Sequence, residues 1–197
     1  MTLHTVADTV AWLLVSWYST IPSFWLIIHP SPDFWRRVRS PYRIILPLWL
    51  LMIAAAALVT RPWRHLHLYD TPYSWALIVF FAACAIFFYR GSRSHISGRQ
   101  VMGRPEVEVG AHEEQKLVTT GMHGRVRHPL YVGHMLMMFG WSVASGLVVC
   151  YALTAFAILT GAIMIPMEEK ELERRFGDAY REYKKRVPML IPKASSS

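Results

Sequence analysis

The sequence predicts an all-α integral membrane protein with about five transmembrane helices. Three features support this prediction: a high apolar content, its concentration in long stretches, and the one-sided placement of the basic residues. Hydrophobic residues make up 53% of the 197 residues and charged residues only 17%, whereas about a quarter of a typical soluble domain is charged. Because the apolar residues come in long blocks, they are typical of membrane-spanning helices rather than of a soluble core.

Five apolar stretches can cross a bilayer. A hydrocarbon core of about 30 Å takes about 20 helical residues, and each span must be helical because lipid cannot satisfy an exposed backbone. The fourth stretch is short, but only Ser145 and Gly146 separate it from the fifth, so the two are expected to form a tight hairpin. Pro22 should kink the first helix near its end. The stretches are residues 6–28, 44–60, 72–89, 129–144 and 147–165.

The basic residues predict the orientation of these helices. Nineteen of the twenty-one lysine and arginine residues follow the first, third or fifth stretch, and only Arg61 and Arg64 lie between the second and third. By the positive-inside rule, the N-terminus is outside and the C-terminus is cytoplasmic. Membrane topology therefore accounts for the net charge of +8, and we expect no nucleic-acid partner.

Several other classes of site are excluded by the sequence. Cys84 and Cys150 both lie inside apolar stretches, so no disulfide framework or zinc ribbon is expected. The stretch beginning at His112 starts like the HExxH zinc motif, but Lys116 takes the place of the second histidine, so no metal site is predicted.

The N-terminal segment has no basic region and no small-residue cleavage site. We therefore expect the first helix to be retained rather than removed as a signal peptide.

The domain organisation is that of one membrane domain. Segment 91–128 is long for a connector, and loops of such length are usually functional or disordered. It is rich in glycine, and Glu106-Val-Glu-Val alternates like a short strand. In the tail, the pattern predicts a helix after Pro166, a stop at Gly177 and a restart with Asp178 as N-cap. The four parts are a three-helix region 1–90, a cytoplasmic loop 91–128, a hairpin 129–166 and cytoplasmic C-terminal helices 167–197.

The first candidate for chemistry is Arg127-His128, where the loop enters the fourth helix. Pro129 suits the first helical position, because its missing N–H costs nothing there. Free N–H groups of that first turn, with Arg127 and His128 beside them, predict an anion site at the membrane surface. The simpler alternative is that both side chains are interfacial anchors that meet lipid phosphates.

The second candidate is the acidic pair Glu168-Glu169, just beyond the fifth helix. The fourth and fifth helices are antiparallel and similar in length, so the pair should lie beside Arg127 and His128. Together these side chains form a mixed-charge site that suits a zwitterionic ligand. The simpler alternative is a solvated acidic pair that favours a helix N-terminus. His134 lies on the same side of the fourth helix as this site and either lines a cavity or is a satisfied interior histidine.

At these residues the chain resembles the isoprenylcysteine carboxyl methyltransferase family and the related membrane phospholipid methyltransferases. The likeness covers roughly residues 105–193, about half of the chain, and departs from the family at His123, where tyrosine is common. The residues that carry it are the stretch 116–133, Glu168-Glu169, the stretch 176–183, Val187-Pro188 and Ile191-Pro192.

The resemblance implies a compact helical membrane fold whose cytoplasmic elements close over S-adenosylmethionine. It also implies that Arg127 and Glu169 lie nearer the reaction. The physical requirements agree, since a ligand with a carboxylate, an ammonium and a sulfonium needs both signs of charge nearby. The implied cofactor-binding residues are Lys116, Leu117, Val118, Gly121, His128, Pro129, Tyr131, Glu168, Tyr180 and Tyr183.

These roles can be divided by chemistry. His128 and the helix N-terminus suit the carboxylate, Glu168 suits the ammonium or a ribose hydroxyl, and a tail tyrosine suits the adenine. A thiolate or carboxylate acceptor needs no strong base, but an amine acceptor must lose a proton, for which His134 or Glu169 is the candidate. The acceptor is expected to be a lipophilic molecule or a lipid that enters sideways from the bilayer.

Two other functions remain open at this point. A membrane reductase of the sterol-reductase type shares this general plan but binds a nicotinamide dinucleotide. The adjacent glutamates favour a ligand that carries an ammonium, although the cytoplasmic arginines are compatible with either cofactor. A non-catalytic membrane scaffold would bind neither, and substitution of His128 or Glu168 would then change only stability.

Overall fold

The structure, a computed structural model, describes residues 3–38, 42–69, 75–93 and 117–192. Short 3-10 turns occur at Arg61–Trp63 and Gly121–Gly124. The predicted strand around Glu106 and the cofactor candidate Lys116 lie outside the described residues. Within the described part of the chain, the α-helices are α1 (Leu3–Ile28), α2 (Pro32–Arg37), α3 (Tyr42–Thr60), α4 (Trp75–Arg93), α5 (Pro129–Ser145), α6 (Val148–Phe176) and α7 (Asp178–Arg186).

The helices confirm the predicted all-α integral membrane fold. Among the described residues, α1, α3 and α6 are long and apolar enough to span a membrane. Helix α4 is apolar but shorter, and α5 has 17 residues, so for these two the crossing of the bilayer stays a prediction. The short helix α2 was not predicted. It occupies the basic segment after the first span.

The long helices pack as an up-and-down bundle. Helix α1 packs along α6, α5 and α3, and α4 packs against α5. Helices α5 and α6 form the predicted hairpin around Gly146, whose positive φ of 66° is readily adopted by glycine. At Gly140 the backbones of α4 and α5 approach closely, because an added Cβ there would lie 2.5 Å from the Cβ of Phe81.

The buried core lies where α1, α5 and α6 meet. It is built from small and medium apolar side chains around one tryptophan, Trp12, whose indole N–H donates to the Thr60 hydroxyl over 2.8 Å. Such packing with hydrogen bonds between helices is the usual means of association in lipid. The buried cluster comprises Ala11, Trp12, Val15, Met138, Leu147, Val149, Cys150, Leu153 and Ala157.

The two ends of the bundle differ in character. At one end, the loop after α3 covers the hairpin: Leu68 donates its N–H to the Gly146 carbonyl over 2.8 Å, and His67 lies 3.3 Å from Asp8. We call this the loop end. At the other end, α1 finishes at Ile28, α5 begins at Pro129, and α6 continues as a charged extension, residues 166–176. We call this the charged end.

Two details of the predicted elements need correction. Helix α6 runs without interruption through Pro166 to Phe176, so the predicted separate tail helix is the continuation of the fifth span. Helix α1 contains Pro22 and runs to Ile28, where the predicted stretch ends, and the kink at Pro22 stays a prediction. Gly177, not Asp178, is the N-cap of α7, with φ 55°. A positive φ disfavours side chains with a Cβ, so glycine both ends α6 and precedes α7.

Candidate functional site

The backbone around residue 127 is held by the C-terminal tail. Arg127 donates its N–H to the Pro188 carbonyl over 2.9 Å, and His128 donates to the Met189 carbonyl over 3.1 Å. Pro129 occupies the first position of α5, as predicted, and is buried. Because the tail takes the N–H groups of Arg127 and His128, the predicted anion site can draw only on N–H groups within the helix itself.

Glu169 is the centre of the charged cluster. Its Oε1 accepts hydrogen bonds from Arg127 Nε at 2.6 Å and from His128 Nε2 at 3.2 Å. Its Oε2 lies 3.5 Å from Lys184 Nζ. Only 5% of the Glu169 side chain is exposed. The predicted meeting of the Arg127-His128 segment with the glutamate pair is therefore confirmed, across about 40 residues of sequence.

The partners of Glu169 control its ionisation. Glu169 lies beyond Ile165, where the apolar part of α6 ends, and hence outside the membrane-spanning segment. Burial on its own raises the pKa of this carboxyl, but the hydrogen bonds and positive charges of His128 and Arg127 outweigh it and lower the pKa to about 2. Glu169 is therefore a carboxylate at neutral pH.

Arg127 joins three elements at once. Besides its bond to Glu169, its guanidinium donates to the carbonyl of Lys184 at 3.2 Å and to the carbonyl of Val187. These carbonyls stand at the C-terminal end of α7, where helical partners are missing. Arg127 thus ties the start of α5 to the α6 extension and to the end of α7.

Glu168 differs from its neighbour in having spare capacity. Its side chain is 22% exposed, and its Oε2 lies 3.6 Å from His128 Nδ1. That oxygen is buried and has no hydrogen-bond partner within the described ranges. A buried acceptor without a donor is costly. Glu168 is accordingly the member of the pair that can accept hydrogen bonds from a ligand.

His128 stands between the two glutamates. Its Nδ1 faces Glu168 and its Nε2 faces Glu169, and its ring stacks on Tyr131 with centroids 5.6 Å apart. A neutral imidazole has one N–H donor and a protonated one has two. The Nε2 N–H serves Glu169, whereas Nδ1, at 3.6 Å from Glu168 Oε2, lies beyond hydrogen-bond distance.

Tyr180 and Tyr183 of α7 form a buried layer next to this cluster. They pack together with Leu117, Leu172, Phe176 and Val187. The Tyr183 hydroxyl donates to the His123 carbonyl over 2.6 Å and so fixes the 3-10 turn. Burial raises the pKa of Tyr183 to about 12. The Tyr180 pKa is also raised, by burial and by the negative charge of Glu169, and both phenols are neutral.

The burial of these tyrosines bears on their predicted role. Tyr180 is 1% exposed and Tyr183 is 3% exposed, which leaves little of either ring open for stacking on an adenine. The Tyr180 hydroxyl is different, because it is buried and no donor or acceptor in the described part of the chain reaches it. A buried hydroxyl without a partner in the described residues is a candidate ligand contact.

The remaining predicted residues lie at the edge of the cluster or away from it. Val118 is half-buried in the segment that precedes the turn, and Gly121 begins that turn with a φ of 63°. His134 lies about 9 Å further along α5 than His128, with its ring 5.3 Å from that of Tyr18. The structure therefore places His134 in the bundle interior rather than among the charged side chains.

Two residues with contacts at the charged end were missed by the sequence reasoning. Lys184 lies 3.5 Å from both Glu169 and Glu173. It directly follows the predicted Tyr183, so its position on α7 could have indicated these contacts. His29, at the end of α1, meets Glu171 at 2.9 Å. Nothing in the local pattern around His29 indicated a partner 142 residues away.

Comparison with known proteins adds an independent observation. The family model described as phospholipid methyltransferase matches residues 77–179, just over half of the chain. The chain is 36% identical over 91 residues to protein-S-isoprenylcysteine O-methyltransferase B of Arabidopsis thaliana, covering 44% of each protein. It is 43% identical over 68 residues to methanethiol S-methyltransferase 1 of Bradyrhizobium diazoefficiens, covering 34% of this chain and 23% of that protein.

A third relative has a different kind of name. The chain is 36% identical over 81 residues to a delta(14)-sterol reductase of Mus musculus, covering 39% of this chain and 19% of that protein. The chain thus spans less than half the length of these curated relatives. No solved structure matches the chain at a significant level.

Proposed function

Since the chain belongs to the phospholipid methyltransferase family, we propose that it transfers a methyl group from S-adenosylmethionine to a lipophilic acceptor at the membrane surface. The observation that carries this proposal is the difference in bonding partners between the two adjacent glutamates. Glu169 is saturated by Arg127, His128 and Lys184, whereas Glu168 keeps a buried oxygen without a donor. A cationic ligand group supplies the donor that Glu168 lacks.

The residues present fit such a ligand. When bound, S-adenosylmethionine supplies an electrophilic methyl group on a sulfonium. Glu168 is proposed to accept hydrogen bonds from the ammonium, beside the His128 ring, whose Nδ1 lies 3.6 Å away. The N–H groups within the first turn of α5 and the Tyr180 hydroxyl are further proposed contacts. Pro129 and Tyr131 are proposed to set the position of His128, and Leu117, Val118 and Gly121, in the segment before α5, are proposed as further cofactor contacts.

Arg127 and Glu169 are proposed to position this site rather than to move protons. A carboxyl with a pKa of about 2 is a poor base at neutral pH, because general bases work best with a pKa near the working pH. The guanidinium of Arg127 is already bonded to Glu169 and to two carbonyls. The pair instead holds the start of α5, the α6 extension and α7 in one arrangement.

The acceptor is proposed to be an acid or a thiol with an apolar body. The names of the relatives include an isoprenylcysteine and methanethiol, which present a carboxylate and a thiol. Each reacts as an anion, so the main requirement is alignment of acceptor and methyl group. An amine acceptor would need a base, for which His134 is the remaining candidate. The acceptor would enter between helices from the lipid, with the charged end facing the cytoplasm.

A nicotinamide-dependent reductase is the second candidate, favoured by the likeness to a sterol reductase. The site offers it less support, since a dinucleotide carries no ammonium for Glu168.

Methyl transfer itself provides the test. Purified protein would be incubated with methyl-labelled S-adenosylmethionine and either a farnesylated cysteine analogue or a short alkyl thiol. Label in an acceptor extract, lost in the Glu168→Gln variant, is the expected result. Two results together would overturn the proposal. One is no label in any acid, thiol or amine acceptor, and the other is oxidation of a reduced nicotinamide dinucleotide by the protein.

A further inference from the structure

The first helices of the chain lie outside the region matched by the family model, yet one of them reaches the charged end. His29, directly after α1, has its Nδ1 2.9 Å from Glu171 Oε2 on the α6 extension. The two side chains are only 9% and 17% exposed. Glu171 also accepts from Arg175 over 2.8 Å, one turn further along the same helix.

The α6 extension needs such outside support because of Pro166. Proline lacks an N–H, so the helix loses one backbone hydrogen bond at the point where the apolar part of α6 ends. Beyond this weak point, tertiary contacts decide how the extension is rotated. The glutamate pair lies immediately after it, at positions 168 and 169.

The described contacts hold the extension from two opposite sides. Residues two apart on a helix differ by about 200° in direction, so Glu169 and Glu171 face away from each other. Glu169 is held by Arg127, His128 and Lys184, and Glu171 by His29. Residues three apart lie on one face, so the contact of His29 with Glu171 is on the Glu168 side.

His29 is itself held in place by an aromatic cluster. Its ring stacks on Trp25 with centroids 5.4 Å apart and planes at 27°. Trp25 packs against Phe24, and Phe24 against Trp49 of α3. The indole of Trp49 donates to the Thr20 hydroxyl over 2.9 Å. Helices α1 and α3 therefore present His29 on a rigid support.

We propose that His29 is a positioning residue of the methyl-transfer site, which acts through Glu171 to fix the rotation of the α6 extension and thereby the direction of Glu168. This inference rests on the proposed function, and it gives the N-terminal helices a role in the site besides anchoring. The contact fixes the position of Glu168, and neither His29 nor Glu171 touches the ligand. Removing the contact should reduce the magnitude of the free energy of ligand binding by more than it lowers the free energy of unfolding of the bundle.

The test compares three variants with a matched control. His29→Leu removes the hydrogen bond, His29→Asn keeps a donor close to the place of Nδ1, and Glu171→Gln removes the carboxylate. The control is His67→Ala, which breaks the contact with Asp8 at the loop end. Each protein, in detergent, is titrated calorimetrically with S-adenosylhomocysteine, and backbone hydrogen exchange of residues 166–176 is measured without ligand.

The inference predicts a graded outcome. His29→Leu should weaken binding about tenfold and speed exchange in the extension, whereas His29→Asn should recover part of both. A fourth variant that combines His29→Leu with Glu171→Gln should bind no more weakly than the weaker-binding single variant, as expected for two residues that act through one contact. The His67→Ala control should bind like the unaltered protein.

Two results would overturn the inference. One is unaltered affinity and exchange in His29→Leu. The other is an equal loss in His67→Ala, which would indicate a general loosening of α1. If the unaltered protein binds no S-adenosylhomocysteine, the proposed function fails, and with it the role of His29 toward that ligand. The exchange data then decide separately whether His29 holds the extension.

Discussion

Arg127 donates its Nε proton to Glu169 Oε1 over 2.6 Å, in a pair that is almost fully buried. The same guanidinium holds two carbonyls at the end of α7. One ion pair therefore joins the N-terminus of α5, the extension of α6 and the C-terminal tail. The local order of the charged end depends on this contact.

Replacing Arg127 should therefore destabilise the protein. Arg127→Ala would leave Glu169 buried and without its strongest partner, and breaking a buried pair in this way typically costs about 3 kcal/mol or more. The midpoint of thermal unfolding in detergent measures the effect. Arg125→Ala, at an exposed neighbouring arginine, is the control. Equal midpoints for the two variants would contradict the structural role of Arg127.

The two adjacent glutamates should respond differently to the same substitution. Glu168→Gln should abolish binding of S-adenosylhomocysteine with little change in unfolding temperature, because Glu168 is part-exposed and makes one long contact. Glu169→Gln should lower the unfolding temperature, because it weakens the contacts of this side chain to Arg127, His128 and Lys184. Calorimetric titration and thermal unfolding of both variants separate these effects. A reversed pattern would assign ligand binding to Glu169.

Acid should destabilise the charged end in a defined range. Because the pKa of Glu169 falls from an ordinary 4.5 to about 2 in the folded protein, its stabilising effect is complete above pH 4.5. The effect is lost progressively as the pH falls from there toward 2. Unfolding temperatures measured across this range should drop more steeply for the unaltered protein than for Glu169→Gln. Parallel curves would show that Glu169 is not held as described.

The packing of α4 on α5 should depend on Gly140. An added Cβ at Gly140 meets Phe81 at 2.5 Å, so Gly140→Ala should destabilise the bundle by about 1–3 kcal/mol through overpacking. Gly161→Ala is the matched control, since its nearest neighbour, Pro22, is 4.0 Å away. Thermal unfolding of both variants measures the difference. A neutral Gly140→Ala would mean that the two helices separate easily.

Hydropathy and charge placement were sufficient to predict the helical membrane fold and the meeting of Arg127 with Glu169. Both follow from rules that act along the chain, since an antiparallel hairpin with a two-residue turn brings its outer ends together. The continuation of α6 through Pro166 could not be predicted in this way. A proline allows a helix to continue where neighbouring helices support it, and those neighbours are tertiary.

The same limit applies within the site. The tail carbonyls of Pro188 and Met189 take N–H groups that the sequence left available for an anion. His29 has no patterned neighbours that signal Glu171, because a single pair between distant helices leaves no periodicity. Residue types and spacing indicated which side chains gather at the charged end. Residue types and spacing did not indicate which of these side chains bond to one another.

Binding of S-adenosylhomocysteine, measured beside reduced nicotinamide dinucleotide phosphate by calorimetry on the detergent-purified protein, tests the central claim most directly. We expect micromolar binding of S-adenosylhomocysteine that is lost in Glu168→Gln and in His128→Ala, and no binding of the nicotinamide. The assignment of this site to methyl transfer would be contradicted if folded protein bound only the nicotinamide dinucleotide, or bound neither compound.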